Sequence, residues 1–266
     1  MNIKSKLKQA AFKQKYWIEK TVSKKLLETF ILRFRDKLVS CELIRIGGMG
    51  DGGYLHPNNL KDVSYCYSPG TSYTVKFEKE LSDRYNIKSF MADASIKDIN
   101  IKGDNFEFIS KFIGAYSKNE FITLSDWISQ TKINDKRKGK ILQMDIEGGE
   151  YDVLVYEDAD TLGQFSTMII EFHGLQKLFT YDFLKMFSAI FEKIYKHFSI
   201  CHVHPNNCCG IAELNGISVP RVFEVTFIRN DLLKKYANNK KITLPHPLDR
   251  KNTENEDILM PEIWWK

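Results

Sequence analysis

Six side chains able to move a proton or hold a cation fall into three short stretches: Asp145 with Glu147, Glu171 with His173, and His202 with His204. Three of the chain's six histidines are among them. In a strand, residues two apart point to the same face, so Glu171 and His173 form one pair and His202 and His204 another. Carboxylates and imidazoles at adjacent strand ends could bind a divalent ion such as Mg or Mn. Asp145, Glu171 and His173 are the ligand set best suited to it. A bound ion would lower the pKa of a substrate hydroxyl, and a nearby base would take its proton. His204 is the best-placed base, followed by Glu147, with Asp145 a third catalytic candidate. Without an ion the same groups form a hydrogen-bonded network in which one acts as base unaided. Asp145 could also cap the helix that follows it.

A second pattern points to a nucleoside ligand. The small-residue turn Ser68-Pro69-Gly70-Thr71-Ser72 follows an apolar run, and Asp93 ends the next one. A tight turn lets backbone approach a ligand, and a carboxylate at the end of the next strand accepts ribose hydroxyls. Upstream, five of the 15 glycines lie between Gly47 and Gly53. That density implies left-handed backbone or close backbone approach. The cluster lacks the Gly-Lys-Ser/Thr ending of a phosphate-binding loop.

These residues need a scaffold that brings strand ends together. Strand-like runs occur at 63–68, 87–92, 106–109 (continuing loosely to 112–114), 140–145, 167–173, 199–204 and 222–229. Helix-like runs fall at 74–85, 124–130, 150–156 and 181–198, the last with Leu184, Phe187, Phe191, Ile194 and Phe198 on one face. Such alternation predicts an α/β fold with a doubly wound, mostly parallel sheet, whose ligands lie beyond the C-terminal strand ends. The last two strands are close enough to pair antiparallel. From Pro245 the tail reads as loop, ending on an apolar patch at Ile263, Trp264 and Trp265.

Lys140–Leu154, with its core Asp145-Ile-Glu-Gly-Gly-Glu-Tyr151, resembles the signature of FkbM-type methyltransferases. Gly47–Tyr54, Tyr67–Thr71, His202–Asn207 and Pro220–Phe227 resemble the same group, so the likeness spans roughly residues 43–250. The resemblance implies a class I methyltransferase fold, Rossmann-like with seven strands, that uses S-adenosylmethionine to methylate a hydroxyl. Gly48, Asp51, Gly53, Tyr54, Ser68, Gly70, Thr71, Ser72, Asp93 and Asp145 are then the cofactor-binding candidates. The chain departs from the family where Tyr67-Ser-Pro-Gly-Thr-Ser72 has one glycine and no acid. The Gly47–Tyr54 cluster is a substitute, with Asp51 a partner for the cofactor's ammonium group.

Charge and composition set the context. Hydrophobic residues make up 43% of the 266 and charged residues 27%, which excludes a disordered or collagen-like chain. Residues 1–40 hold 11 Lys+Arg against 3 Asp+Glu, leaving 28 against 31 elsewhere. The net +5 is therefore a basic arm on a nearly neutral body. This gives no case for nucleic acid. Residues 1–40 read as a basic amphipathic helical extension, and residues 41–266 as the catalytic domain. The arm could pack on the body, join two subunits into a homo-oligomer, or touch an anionic membrane surface. No apolar run is long enough to span a bilayer, and the start lacks a signal's apolar stretch. Five cysteines without a CxxC pair read as reduced thiols in a cytoplasmic protein. Cys208-Cys209 reads as part of a tight turn, and Lys136–Lys140 as a solvated loop that could reach a phosphate.

The sequence thus leads to an S-adenosylmethionine-dependent O-methyltransferase. The resemblance further implies a sugar hydroxyl as the substrate, in a nucleotide-activated sugar or a bacterial surface-polysaccharide precursor. Two other classes use the same residues: a metal-dependent hydrolase, and a non-catalytic nucleotide- or glycan-binding module.

Overall fold

The computed structural model describes residues 3–133 and 139–266. Most of the Lys136–Lys140 loop lies outside the described residues. Seven strands form the central sheet: β1 (Val63–Pro69), β2 (Lys88–Ala92), β3 (Phe106–Ile109), β4 (Gly139–Met144), β5 (Thr167–His173), β6 (Phe198–Pro205) and β7 (Val222–Arg229). Their spatial order is β3-β2-β1-β4-β5-β7-β6. All neighbours are parallel except β7, which runs antiparallel to both β5 and β6. This is the class I methyltransferase arrangement, and the α/β expectation holds. The strands β5, β6 and β7 are buried almost end to end, as expected of strands covered on both faces.

The helices among the described residues are α1 (Ile3–Lys13), α2 (Lys24–Arg35), α3 (Lys76–Tyr85), α4 (Leu124–Gln130), α5 (Glu150–Tyr156), α6 (Ala159–Leu162), α7 (Tyr181–Ile194) and α8 (Leu233–Tyr236). The apolar stripe of α7 places Leu184, Phe187, Phe191 and Ile194 in the core. The helix stops at Ile194, before Phe198, because Phe198 opens β6. Phe112–Gly114 does not extend β3. It pairs with Phe121–Thr123 in a separate two-stranded parallel ribbon.

The basic arm divides in two. No residue of α1 is buried. In contrast, α2 inserts Leu27, Phe30, Ile31 and Phe34 into the main core. Its Ser23 cap accepts a hydrogen bond from the Leu26 amide. Each of those side chains contributes roughly 1.5–3 kcal/mol by leaving water. The C-terminal patch is also interior. Trp264 is fully buried, edge-on to Phe34 at 5.4 Å, and its indole N–H donates to the Ser218 carbonyl at 3.0 Å. The segment leading to it crosses β6 as an ordered strap. Asn207 ties it down by donating to the carbonyls of Thr253 and Asn255 and accepting from the amides of Asn252 and Thr253.

Candidate active site

A cavity of about 730 Å³ opens beyond the C-terminal ends of β1, β2 and β4. Its walls include Gly70, Thr71 and Ser72 after β1, Asp93 after β2, and Asp145 and Glu147 after β4. Gly70 is there of necessity. Its φ is +84°, and a Cβ on it would fall 1.6 Å from the Asp145 carbonyl oxygen. The two strand ends can therefore approach only with glycine at this position. Asp93 turns its carboxylate back to the Ser95 amide at 2.7 Å, which fixes the loop after β2. An aromatic and aliphatic wall of Phe112, Ile113 and Phe121 faces these polar groups. The small parallel ribbon supplies it, and periodicity alone gave no sign of that role.

The Gly47–Gly53 cluster is the tight loop of a hairpin, Leu43–Ile46 with Tyr54–Pro57. Arg45 clamps the loop by donating to the carbonyls of Gly48 at 2.6 Å and Gly50 at 3.0 Å. A Cβ on Gly53 would strike the Gly48 carbonyl oxygen at 2.5 Å. These glycines serve the loop's own fold. Asp51 and Tyr54 reach the cavity wall, whereas Gly48 and Gly53 stand behind it. Ser68 is also behind it, fully buried and bonded to Glu78 and Gln143. Those two residues, rather than Ser68, line the cavity. Burial raises the pKa of the Glu78 carboxyl, with the Ser68 hydrogen bond acting the other way.

Beyond Asp145, titratable groups continue across the sheet. Strand register aligns Glu171 on β5 with Glu224 on β7 and His204 on β6. Glu224 was not singled out by the sequence reading, although a carboxylate within Val-Phe-Glu-Val-Thr-Phe is a visible irregularity. His173 sits among the carboxylates. Its Nε2 is 3.5 Å from Glu147, 3.6 Å from Glu171 and 3.8 Å from Asp145. Burial pushes the Asp145 pKa up to about 7, helped by Glu147 and Asp51 and opposed by His173. Burial also raises Glu171, with Asp145 and Glu224 adding to it. For His173, burial disfavours the charge, but Glu150, Asp145 and Glu147 outweigh it and the pKa rises. Glu171 and His173 do not line the main cavity. They stand just behind Asp145 and Glu147.

The rest of the Asp145–Tyr151 segment holds this corner together. Glu150 is fully buried and accepts from the His173 amide at 2.7 Å and the Gly148 amide at 2.8 Å. Tyr151 donates to the His173 carbonyl at 2.6 Å. Asp145 does not cap α5, whose N-cap position is Gly149.

His204 does not reach the cavity. It is buried under the C-terminal strap, with Nε2 at 3.1 Å from the Arg250 carbonyl and Nδ1 facing Asp249. The expectation that it is the base fails on this position. Strand ends converge as expected, but the tail covers the β6 end. Cys208 and Cys209 are exposed free thiols in the turn after β6.

One family model agrees with this picture. A family model described as the methyltransferase FkbM domain matches residues 69–197. No curated protein matches the chain. Among solved structures, the chain is similar to a fibrillarin/Nop5p complex at 9% identity and a TM-score of 0.37, covering 64% of this chain and 73% of that one. It is similar to a precorrin-6y C5,15-methyltransferase from Geobacter metallireducens at 10% and 0.34, covering 79% and 93%. A 16S rRNA (adenine(1408)-N(1))-methyltransferase from Catenulisporales acidiphilia matches at 9% and 0.32, covering 71% and 97%. The fold assignment rests on the strand order and not on these distant likenesses. The matched segment runs from the end of β1 past α7, taking in the Gly70 turn, Asp93 and the Asp145–Tyr151 corner, and over residues 69–197, a little under half of its length, this chain matches the methyltransferase FkbM domain.

Proposed function

We propose that the protein is an O-methyltransferase that methylates a sugar hydroxyl, in a nucleotide-activated sugar or a surface-polysaccharide precursor. The observation that carries this reading is the 730 Å³ cavity, with the Gly70 turn, Asp93 and two carboxylates on one wall. It is large enough for a nucleoside cofactor with an acceptor beside it. Its excess of carboxylates suits a cationic sulfonium.

In this reading Asp93 accepts the ribose hydroxyls, and the Gly70–Ser72 turn lets backbone approach the cofactor. Tyr54 and Asp51 flank the amino-acid end. Bound S-adenosylmethionine would supply an electrophilic methyl group. Asp145 or Glu147 takes the acceptor hydroxyl's proton, because these are the candidate bases that line the cavity. The remaining acceleration comes from holding the acceptor in line.

The corner also suits a divalent ion. Asp145 Oδ1 and Glu171 Oε2 are buried polar atoms without hydrogen-bond partners, and His173 Nε2 faces both carboxylates. Asp145, Glu171 and His173 would hold Mg or Mn, which would acidify the acceptor hydroxyl. The reading places the enzyme in the cytoplasm. Among the described residues no helix is long and apolar enough to cross a membrane. The exposed, lysine-rich α1 would make peripheral contact with anionic lipid.

The deciding experiment incubates the protein with labelled cofactor and a panel of nucleotide sugars, with and without EDTA. Methylated sugar detected by mass spectrometry supports the proposal. Binding of S-adenosylhomocysteine with no transfer to any hydroxyl would reject it. Loss of transfer in EDTA, restored by Mg or Mn, supports the metal.

A further inference from the structure

The strap that crosses β6 carries Asp249, and this carboxylate lies between two strand imidazoles. His202 Nε2 is 2.9 Å from Asp249 Oδ1, and His204 Nδ1 is 3.6 Å from Asp249 Oδ2. The side chains are only 4–7% exposed. One ligand atom from each of the three residues falls within 4.8 Å of the others.

The detail that matters is at His204. Its Nδ1 is buried and has no hydrogen-bond partner, since 3.6 Å is beyond hydrogen-bonding reach. The other ring nitrogen, Nε2, is 3.1 Å from the Arg250 carbonyl oxygen. A carbonyl only accepts, so Nε2 carries the hydrogen and Nδ1 is the ring nitrogen that faces Asp249. Proteins orient metal-binding imidazoles in this way, with one nitrogen donating to a backbone carbonyl and the other free for the ion.

We propose that His202, His204 and Asp249 form a zinc site that fastens the C-terminal strap to β6, distinct from the carboxylate corner at Asp145. Zinc binds imidazole nitrogen and carboxylate oxygen at about 2.0–2.2 Å in tetrahedral geometry, which separates neighbouring ligand atoms by roughly 3.3 Å. The observed 2.9 and 3.6 Å bracket that spacing. Two imidazoles with one carboxylate favour zinc over magnesium or calcium, which take oxygen ligands. There is also a way in. His202 lines a second cavity of about 410 Å³, bounded by residues 238–247. That cavity approaches the site from the His202 side. Glu224, opposite His204 on β7, adds a nearby negative charge.

The test strips the full chain of metal and titrates it with Co²⁺, whose visible absorption reports tetrahedral binding. One equivalent of Co²⁺ with a visible band, displaced by Zn²⁺, is expected. The band should persist in His173→Gln and vanish in His204→Gln and Asp249→Asn. Zinc should also slow tryptic cleavage in the strap, at Arg250 and Lys251, by tenfold or more in the wild type and in His173→Gln. Calorimetry with S-adenosylhomocysteine checks that the variants fold. If His204→Gln does not fold, the His173→Gln titration decides alone. Absence of a band in the wild type, or a band lost in His173→Gln, would overturn the proposal.

Discussion

Asp93 is the residue whose role is easiest to isolate. It stands on the cavity wall away from the carboxylate corner, and hydrogen bonds to a charged group contribute about 1.5–3 kcal/mol. Asp93→Ala should therefore weaken S-adenosylhomocysteine binding roughly 10- to 150-fold by calorimetry, with the fold retained. Unchanged affinity would remove Asp93 from the cofactor site. Asp145 answers to a different measurement. If it takes the acceptor proton, Asp145→Asn should lower kcat by about 10²–10⁴-fold. A variant with nearly full kcat would shift the role to Glu147, which is 86% exposed at its side chain and free to swing. Asp93, Asp145 and Glu147 were legible in the sequence because each follows a strand in an α/β pattern. His204 also ends a strand, yet it is covered. The residue that covers it, Asp249, comes from a segment with no periodicity, so no local signal linked the two. Glu224 was not legible in the same way, because this carboxylate lies within β7 and not at a strand end, yet faces the same corner.

At the scale of elements, the corner depends on two fits. Gly70 allows β1 and β4 to touch, and Glu150 joins the loop after β4 to the end of β5. Gly70→Ala would meet backbone, which cannot swing aside, at a φ that L-residues avoid. Cofactor binding should be lost and the melting temperature should drop. Normal binding by this variant would show that the strand ends have slack. Glu150→Ala would remove the acceptor of the half-buried His173 amide, at about 1–3 kcal/mol, and that of the Gly148 amide, which is exposed enough for water to replace it. At about 2–4 °C per kcal/mol for a chain of this size, the melting temperature should fall by roughly 2–12 °C. The FkbM-like segment thus mixes cavity residues with structural ones, and residue type alone did not separate Glu147 from Glu150. The central strands were readable because their apolar runs are continuous and bounded by turns. The Phe112–Gly114 ribbon was not, because three residues are too few for a period to show. The strap was also illegible, since its order comes from side chains such as Asn207 and not from any pattern of its own.

Among the described residues of the whole molecule, one buried histidine is remote from the proposed chemistry. His56 is fully buried in the hairpin, with Nδ1–H donating to the Pro57 carbonyl at 2.7 Å and Nε2 without a partner. Burial pushes its pKa down from 6.5 to about 4. The folded state therefore resists a proton that the unfolded chain accepts. Stability from this group is full above pH 6.5 and falls as pH drops toward 4, by up to about 3 kcal/mol. His56→Gln should flatten the stability profile over that window in urea titrations, and an unchanged slope would refute the assignment. The basic arm gives a prediction of a different kind. Residues 1–20 include six lysines and one glutamate, so they account for the entire net charge of +5. None of α1 is buried, and the first buried residue is Val22, whose amide donates to the Phe179 carbonyl at 2.9 Å. Removing residues 1–20 should leave cofactor affinity unchanged and shift the melting temperature by less than about 2 °C. It should also abolish sedimentation with phosphatidylglycerol vesicles if α1 is the lipid contact. Phe30→Ala in α2, by contrast, should cost about 3–5 kcal/mol, because Phe30 packs on Phe187, Phe191 and Trp264. Equal destabilisation by the two changes would mean that α1 packs on the body in solution, and the arm would then be one structural unit with a single role.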